Sequence, residues 1–323
     1  MNKRKIKDLL KYNKLTGGLY ATALKIRDNK QYHNKFDYHG TFFDRKQGKE
    51  YLCIILAGYK EFLYPTFFER IEKCCEANID ICVVSSGVYS EKLKSICEKN
   101  NWSYLSTKEN NVALIQNVAI QLHPDAKYIF KIDEDIFITK NFFSNMIRAY
   151  NHAGEGDYEP GIVAPLIPIN GYGNVRILDM LGLREIFEKK FEKPKHMAGV
   201  HRMVESNPEV AKFFWGEGGY VPKIDDMNEM AVNRQLEERP CSIKFSIGAI
   251  LFARKLWTDM GYFNVDRSGN AMGVDEIQIT EFCLSSSRPI MVSENVVVGH
   301  LSFGTQNEIM KQYYMMNPDK FKL

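Results

Sequence analysis

Tyr128-Ile129-Phe130-Lys131-Ile132-Asp133-Glu134-Asp135-Ile136-Phe137-Ile138 is the stretch on which the reading of this chain turns. Residues 128–132 form an apolar run of strand length that drives straight into three consecutive acids. The run has the composition of a strand buried on both faces, whereas the acids belong at a polar edge. Three adjacent carboxylates repel one another, so packing them at a strand end calls for a compensating cation. A hard divalent ion with oxygen ligands supplies it and is a natural bridge to a diphosphate. The plain alternative is a polar loop with solvated acids, and a bare D-x-D is common by chance.

Outward from this segment the pattern alternates. On the N-terminal side, residues 51–57 (YLCIILA, closed by Gly58) and 79–84 (leading to Ser85-Ser86-Gly87) read as buried strands, with a weaker strand around Tyr104. Between them lie stretches with helical spacing: Leu63, Phe67, Phe68, Ile71 and Cys74; then Leu93, Ile96 and Cys97; then Leu114, Ile115, Val118 and Leu122. Strands alternating with helices of this length predict βαβ units and a mostly parallel α/β sheet. The right-handed crossovers of such sheets align the C-terminal strand ends along one edge, where ligands bind. Gly58-Tyr59, Ser85-Ser86 and Asp133-Glu134-Asp135 all fall on that edge.

On the C-terminal side the alternation lapses over residues 151–240, which carry Gly/Pro punctuation and read as an inserted, partly helical region of the same domain. Regularity returns with a strand or strand pair at 243–253, a short helix stopped by Gly261, a helix opened by Gly273-Val274-Asp275-Glu276, and two short strands, the second leading to His300. The division expected is a basic, partly helical extension over 1–49, one domain over 50–305, and a tail over 306–323.

Composition narrows the class. An apolar fraction of 45% with 26% charged residues fits a globular protein rather than a disordered or collagen-like chain. The longest apolar runs fall far short of the ~20 residues a membrane span needs, and the N-terminus has no apolar core with a cleavage site. A cytoplasmic setting follows as an expectation. None of the seven cysteines forms a C-x-x-C pair, and they read as reduced, buried thiols. Residues 1–50 hold 13 Lys/Arg against 5 Asp/Glu, a net of +8, while the remainder holds 30 against 35. That asymmetry suggests either contact with an anionic membrane surface or a solvated extension. Nucleic acid is not expected as a partner, since no recognition motif accompanies the charge.

Asp133-Glu134-Asp135 in this setting resembles the D-x-D motif of GT-A glycosyltransferases. The downstream half adds to the likeness. Residues 246–257 (SIGAILFARKLW) with Met260-Gly261-Tyr262-Phe263 resemble the acceptor-side segment of family 2-like members. Gly273-Val274-Asp275-Glu276 stands where that family shows Gly-x-Glu-Asp, and Val298-Gly299-His300 matches its strand-then-His ending. The resemblance covers about 51–145 and 243–305. It implies a GT-A, Rossmann-like sheet and transfer of a sugar from a nucleotide-sugar donor, a UDP-sugar in the first instance, to a glycan or glycolipid acceptor. It further implies an Mn2+ or Mg2+ ion held by Asp133, Asp135 and His300, with Asp133 and Glu134 also on the donor side. Asp275 or Glu276 would serve as the base of an inverting transfer. Ala57, Gly58 and Tyr59 would pass beneath the nucleotide, with Ser85 and Asn117 as further donor contacts. Trp215, Tyr220 and Gly248 would lie on the acceptor side. The sequence departs from the family in the order of the Asp275-Glu276 pair and in Ser85-Ser86-Gly87, which replaces an Asp that contacts the base. Retention of configuration, and a non-catalytic nucleotide- or carbohydrate-binding protein on the same fold, are the alternatives.

Overall fold

The computed structural model describes residues 11, 16–76, 78–199, 201–267 and 273–323. Most of the first fifteen residues, and with them the start of the basic segment expected to meet a membrane, lie outside the described residues. Among the described residues no helix is long and apolar enough to cross a membrane.

Strands β1 (Gly40–Phe43), β2 (Tyr51–Leu56), β3 (Ile79–Ser86), β4 (Ser103–Thr107), β5 (Tyr128–Asp133), β6 (Ile136–Phe137), β7 (Ile162–Leu166), β8 (Glu238–Pro240), β9 (Ala249–Ala253), β10 (Ile290–Val297) and β11 (Gly299–His300) build two sheets. The large one has the order β1-β4-β3-β2-β5-β9-β7-β10-β8. Strands β2, β3, β4, β5, β7 and β10 run one way; β1, β8 and β9 run against them. The sheet is thus mostly parallel and flanked by helices, as expected. Its central strands are buried along nearly their whole length, which is why they read as continuous apolar runs rather than as alternation.

The chain steps outward from β2 through β3 to β4, then returns to lay β5 on the other side of β2. The order reverses between β2 and β5, and the loops that leave these two strands part there and open a crevice. Register places Leu56 opposite Asp133, so the turn after β2 faces the acids after β5. Helices Tyr64–Cys74, Glu91–Asn100 and Val112–Leu122 make the crossovers. Two of them begin at side-chain caps: Ser90 Oγ accepts from the Leu93 amide (3.2 Å) and Asn111 Oδ1 from the Leu114 amide (2.9 Å).

Three expected boundaries are corrected. Residues 35–49 are not an extension: β1 pairs with β4 at the sheet edge, and Lys35 Nζ donates to Gly261 O (2.6 Å) and Asn264 Oδ1 (3.0 Å). The region 151–240 is not wholly inserted, because β7 lies inside it as a fully buried strand parallel to β10. Residues 306–323 are not a loose tail. The helix Asn307–Met316 buries Met310, Tyr313 and Tyr314, and Phe321 is fully buried beyond it. The buried Arg70 pins that end, donating to Phe321 O (2.8 Å) and Lys322 O (2.9 Å) while its fork holds Asp225 (2.9 and 2.8 Å). Residues 243–253 yield one strand, β9, rather than a pair. All seven cysteines are unpaired thiols, five of them buried.

Candidate active site

A cavity of about 570 Å³ opens at the C-terminal ends of β2 and β5, a size typical of small-molecule sites. Its floor begins with the turn Ala57-Gly58-Tyr59-Lys60. Glu134 shapes this turn, accepting from the amides of Gly58 (2.9 Å), Tyr59 (3.0 Å) and Lys60 (2.9 Å) with its two carboxylate oxygens. Burial pushes the Glu134 carboxyl up to about 7, against the pull of these amides. Gly58 has φ +138°, and a Cβ there would come within 2.9 Å of Val88 Cγ1, so only glycine fits. Tyr59 is 63% exposed, and its hydroxyl donates to Ser86 O (2.6 Å), which fixes the ring along the cavity lining.

The acids flanking Glu134 are paired as well. Asp133, whose side chain is 34% exposed, meets Lys131 Nζ at 2.6 Å. The same ammonium donates to Ile247 O (2.8 Å), tying the acid to the chain before β9. Asp135 is nearly buried and binds Lys60 Nζ, with His300 Nε2 at 3.4 Å from the same oxygen. Burial opposes ionisation of Asp135, but His300 and Lys60 outweigh it and hold the carboxyl well below the usual range. The triplet thus has partners within the protein, two lysines, His300 and three amides, although burial still raises the carboxyls of Asp133 and Glu134.

His300 reaches the site through the small sheet, where β11 pairs antiparallel with β6 and sets His300 opposite Ile136, next to the acids. Its Nδ1 lies 3.3 Å from Ile169 O, which turns Nε2 toward Asp135. An oxygen and an imidazole nitrogen facing each other 3.4 Å apart are donors of the kinds that hold a divalent ion. Among the described residues no group of three or more His, Cys, Asp or Glu forms a ready-made metal cage. The donor pair fits a divalent ion, which would compete with Lys60 for Asp135.

Asp275 and Glu276 lie in the first turn of the helix Val274–Ser285 and both line the cavity. Asp275 is buried, with Oδ2 accepting from Gln116 Nε2 (2.8 Å). Glu276 pairs with the more exposed Lys244 (2.7 Å). Gly248 also lines the cavity: its backbone passes over the acids, and a Cβ would sit 3.0 Å from Ile136 Cδ1 and 3.6 Å from Asp133 Oδ2.

Four residues expected at the site are placed elsewhere. Ser85 is fully buried and spends its hydroxyl on Val88 O (2.6 Å) and Tyr104 (2.8 Å), while Ser86 lines the cavity instead. Asn117 is fully buried and does not line the cavity. Its Oδ1 accepts from Trp257 Nε1 (2.8 Å) and the Phe263 amide (3.0 Å), and its Nδ2 donates to Phe263 O (2.8 Å) and Lys35 O (3.1 Å). It locks the 257–263 segment to the helix before β5. Trp215 is buried between Phe321 and Phe137, with its indole N–H on His300 O (3.0 Å), so it supports β11 from behind. Tyr220 lies at the surface with Lys190 over its ring, outside the cavity lining.

Conversely, Lys60, Lys131, Gln116, Lys244 and Glu205 were not foreseen as site residues. Two left a signal: Lys131 interrupts an apolar strand and Gln116 an apolar helix, and a polar group in such a run needs a partner.

No family model matches the chain, and no curated protein matches it in sequence. Some solved structures are similar to it in part. One is the mannosyltransferase PcManGT from Pyrobaculum calidifontis, in complex with GDP-Man and Mn2+. It is 13% identical, with 86% of this chain and 64% of that one covered and a TM-score of 0.46. Another is S. aureus TarS 1-349 in complex with UDP-GlcNAc, 10% identical, with 80% and 60% covered and a TM-score of 0.46. The chain spans less than two thirds of the length of each.

Proposed function

We propose that this chain is a glycosyltransferase of the GT-A type that moves a sugar from a nucleotide-sugar, a UDP-sugar in the first instance, to a hydroxyl of a glycan or glycolipid. The observation that carries the reading is the pairing of two features in one cavity. Asp133, Glu134 and Asp135 stand at the strand end where the order reverses, and a separate buried carboxylate, Asp275, is aimed into the same space by Gln116. A second carboxylate, oriented and apart from the triplet, is what proton abstraction from an acceptor hydroxyl needs. Tyr59 and Ser86 offer a ring and polar groups for the nucleotide, with Lys60 and Lys131 near its phosphates.

Asp135 and His300 would hold a divalent ion, Mn2+ or Mg2+, whose bound chemistry is to neutralise charge on the departing diphosphate. Asp275 takes the proton of the acceptor hydroxyl as its oxygen bonds to the anomeric carbon. The bond from that carbon to the diphosphate oxygen breaks on the opposite face, giving inversion. Asp275 suits this role better than Glu276, because Gln116 fixes it whereas Glu276 is tied to Lys244 near solvent. The setting in keeping with these features is surface-glycan synthesis at the cytoplasmic face of a bacterial membrane, with the basic residues ahead of Lys35 against anionic lipid.

The Lys60–Asp135 pair favours a second form of the reading, donor binding without a divalent ion. Thermal shift with UDP, GDP, CMP and dTDP and their sugar conjugates, with and without Mn2+, tests both. A ligand at a hundredfold excess over Kd stabilises by about 2.7 kcal/mol. One nucleotide should stabilise the protein strongly only with Mn2+, and Asp135→Ala should abolish that gain. Equal stabilisation without metal supports the ion-free form. A protein that no nucleotide stabilises is not a nucleotide-sugar transferase.

A further inference from the structure

Glu205 lines the same cavity, yet nothing in the reaction above uses it. It is 6% exposed. One oxygen, Oε2, accepts from the Gly199 amide (3.0 Å). The other, Oε1, is buried and has no hydrogen-bond partner. A carboxylate is an acceptor only, so an unpaired buried oxygen waits for a donor. The nearby donors are engaged elsewhere: Lys244 holds Glu276, and His300 lies between Ile169 O and Asp135.

The group is held in place rather than adrift. Its short helix, Met203–Ser206, is tied to the chain that follows β11: Gln306 Nε2, fully buried, donates to Val204 O (3.0 Å) and Asn207 O (2.9 Å), and Thr305 Oγ1 to Glu205 O (3.3 Å). Burial raises the Glu205 carboxyl against the pull of the Gly199 amide and Lys244. Glu205 lines the cavity together with the phosphate-side histidine and the acceptor-side acid pair. In the proposed reaction the interval between those two is where the transferred sugar sits.

We infer that Glu205 is a specificity-determining residue whose unpaired Oε1 accepts a hydrogen bond from a hydroxyl of the donor's sugar. The inference rests on the transferase reading. A carboxylate built to receive a hydroxyl discriminates against ligands lacking it, because its oxygen is then left unsatisfied.

The test is calorimetry in the presence of Mn2+ on wild type, Glu205→Ala and Glu205→Gln. The ligand pairs are UDP with UDP-glucose, UDP with UDP-GlcNAc, and GDP with GDP-mannose. For the pair that binds, the quantity read is the ratio of nucleotide-sugar affinity to nucleotide affinity. In Glu205→Ala, nucleotide Kd should stay within twofold of wild type while that ratio falls about tenfold. Glu205→Gln, which can keep the Gly199 bond through its carbonyl oxygen, should lose about threefold, and it decides the matter if the Ala variant does not fold. A ratio unchanged from wild type in both variants overturns the inference and leaves the transferase reading standing. A wild-type protein that binds none of the nucleotides overturns that reading, and this inference with it.

Discussion

On the wall formed by the ends of β2 and β5, every acid has a protein partner: Glu134 three backbone amides, Asp133 Lys131, and Asp135 Lys60 with His300. On the wall contributed by Gly199, Glu205, Lys244, Asp275 and Glu276 the pairing is thinner. Glu205 keeps one oxygen without a partner, and Glu276 leans on a largely exposed lysine. The first wall is a set of interactions that the fold already satisfies, so a ligand there must exchange partners. The second has capacity left over for a ligand to fill. Substitutions on the first wall should therefore mix stability with binding, whereas those on the second should report function almost alone.

The largest expected effect tests the second wall. Asp275→Asn retains an oxygen to accept from Gln116, so the helix start and the cavity shape should survive. General-base assistance is worth roughly 100- to 10,000-fold, and turnover should fall by that range with donor Kd within twofold. Glu276→Gln should cost far less. The measurement is donor consumption under saturating substrate beside donor affinity by calorimetry. Equal losses at both positions would mean that the pair acts as a unit; a loss of donor affinity in Asp275→Asn would place this carboxylate on the donor.

Glu134→Ala probes the first wall. It strips the Gly58, Tyr59 and Lys60 amides of their acceptor at a buried turn. Leaving a buried donor unpaired costs about 1–3 kcal/mol. Water can reach part of this turn, so the net loss should be about 3 kcal/mol in denaturant unfolding, with nucleotide affinity falling alongside. A stable variant that lost only affinity would show that the turn holds its shape unaided, and the contrast between the walls would fail.

The same contrast explains what the sequence could show. Asp133-Glu134-Asp135 was legible because strand and acids adjoin, so one local pattern carries both the fold and the site. Glu205 was not, because its surroundings come from residues 199, 244, 276 and 300–306, which no local period connects. Asn117 misled for a related reason. A polar residue on the helix before β5 reads as a ligand contact, but its partners are Lys35, Trp257 and Phe263, far away in sequence. Strand β7 hid behind Pro165, which argues against a central strand, and behind Gly161. Strand β1 hid in a basic stretch, since a four-residue edge strand exposed at one end leaves little hydrophobic pattern. Lys60 was invisible as a partner of Asp135 because its reach depends on the turn that Glu134 folds.

The smallest effect sharpens the comparison from behind the first wall. Trp215 stands in a Gly-rich setting that suggests a sugar-stacking loop, yet its ring packs on Phe321 (4.3 Å between centroids) and its indole N–H bonds to His300 O. A Cβ at Gly299 would come within 2.5 Å of the ring, so indole and strand are fitted to each other. Trp215→Phe keeps an aromatic in the slot but removes the N–H and part of the ring. The loss should be about 1 kcal/mol from the missing hydrogen bond, with a little more from the space left by the smaller ring. Nucleotide-sugar affinity should hold within twofold, because the bond serves the backbone of His300 while Nδ1 remains oriented by Ile169 O. Denaturant unfolding and calorimetry on one preparation read both numbers. Unchanged stability with a large loss of sugar affinity would return Trp215 to the ligand. A loss of stability together with weaker Mn2+-dependent binding would mean that the backbone of β11 and the imidazole it carries move as one piece, making Trp215 a positioning residue for His300.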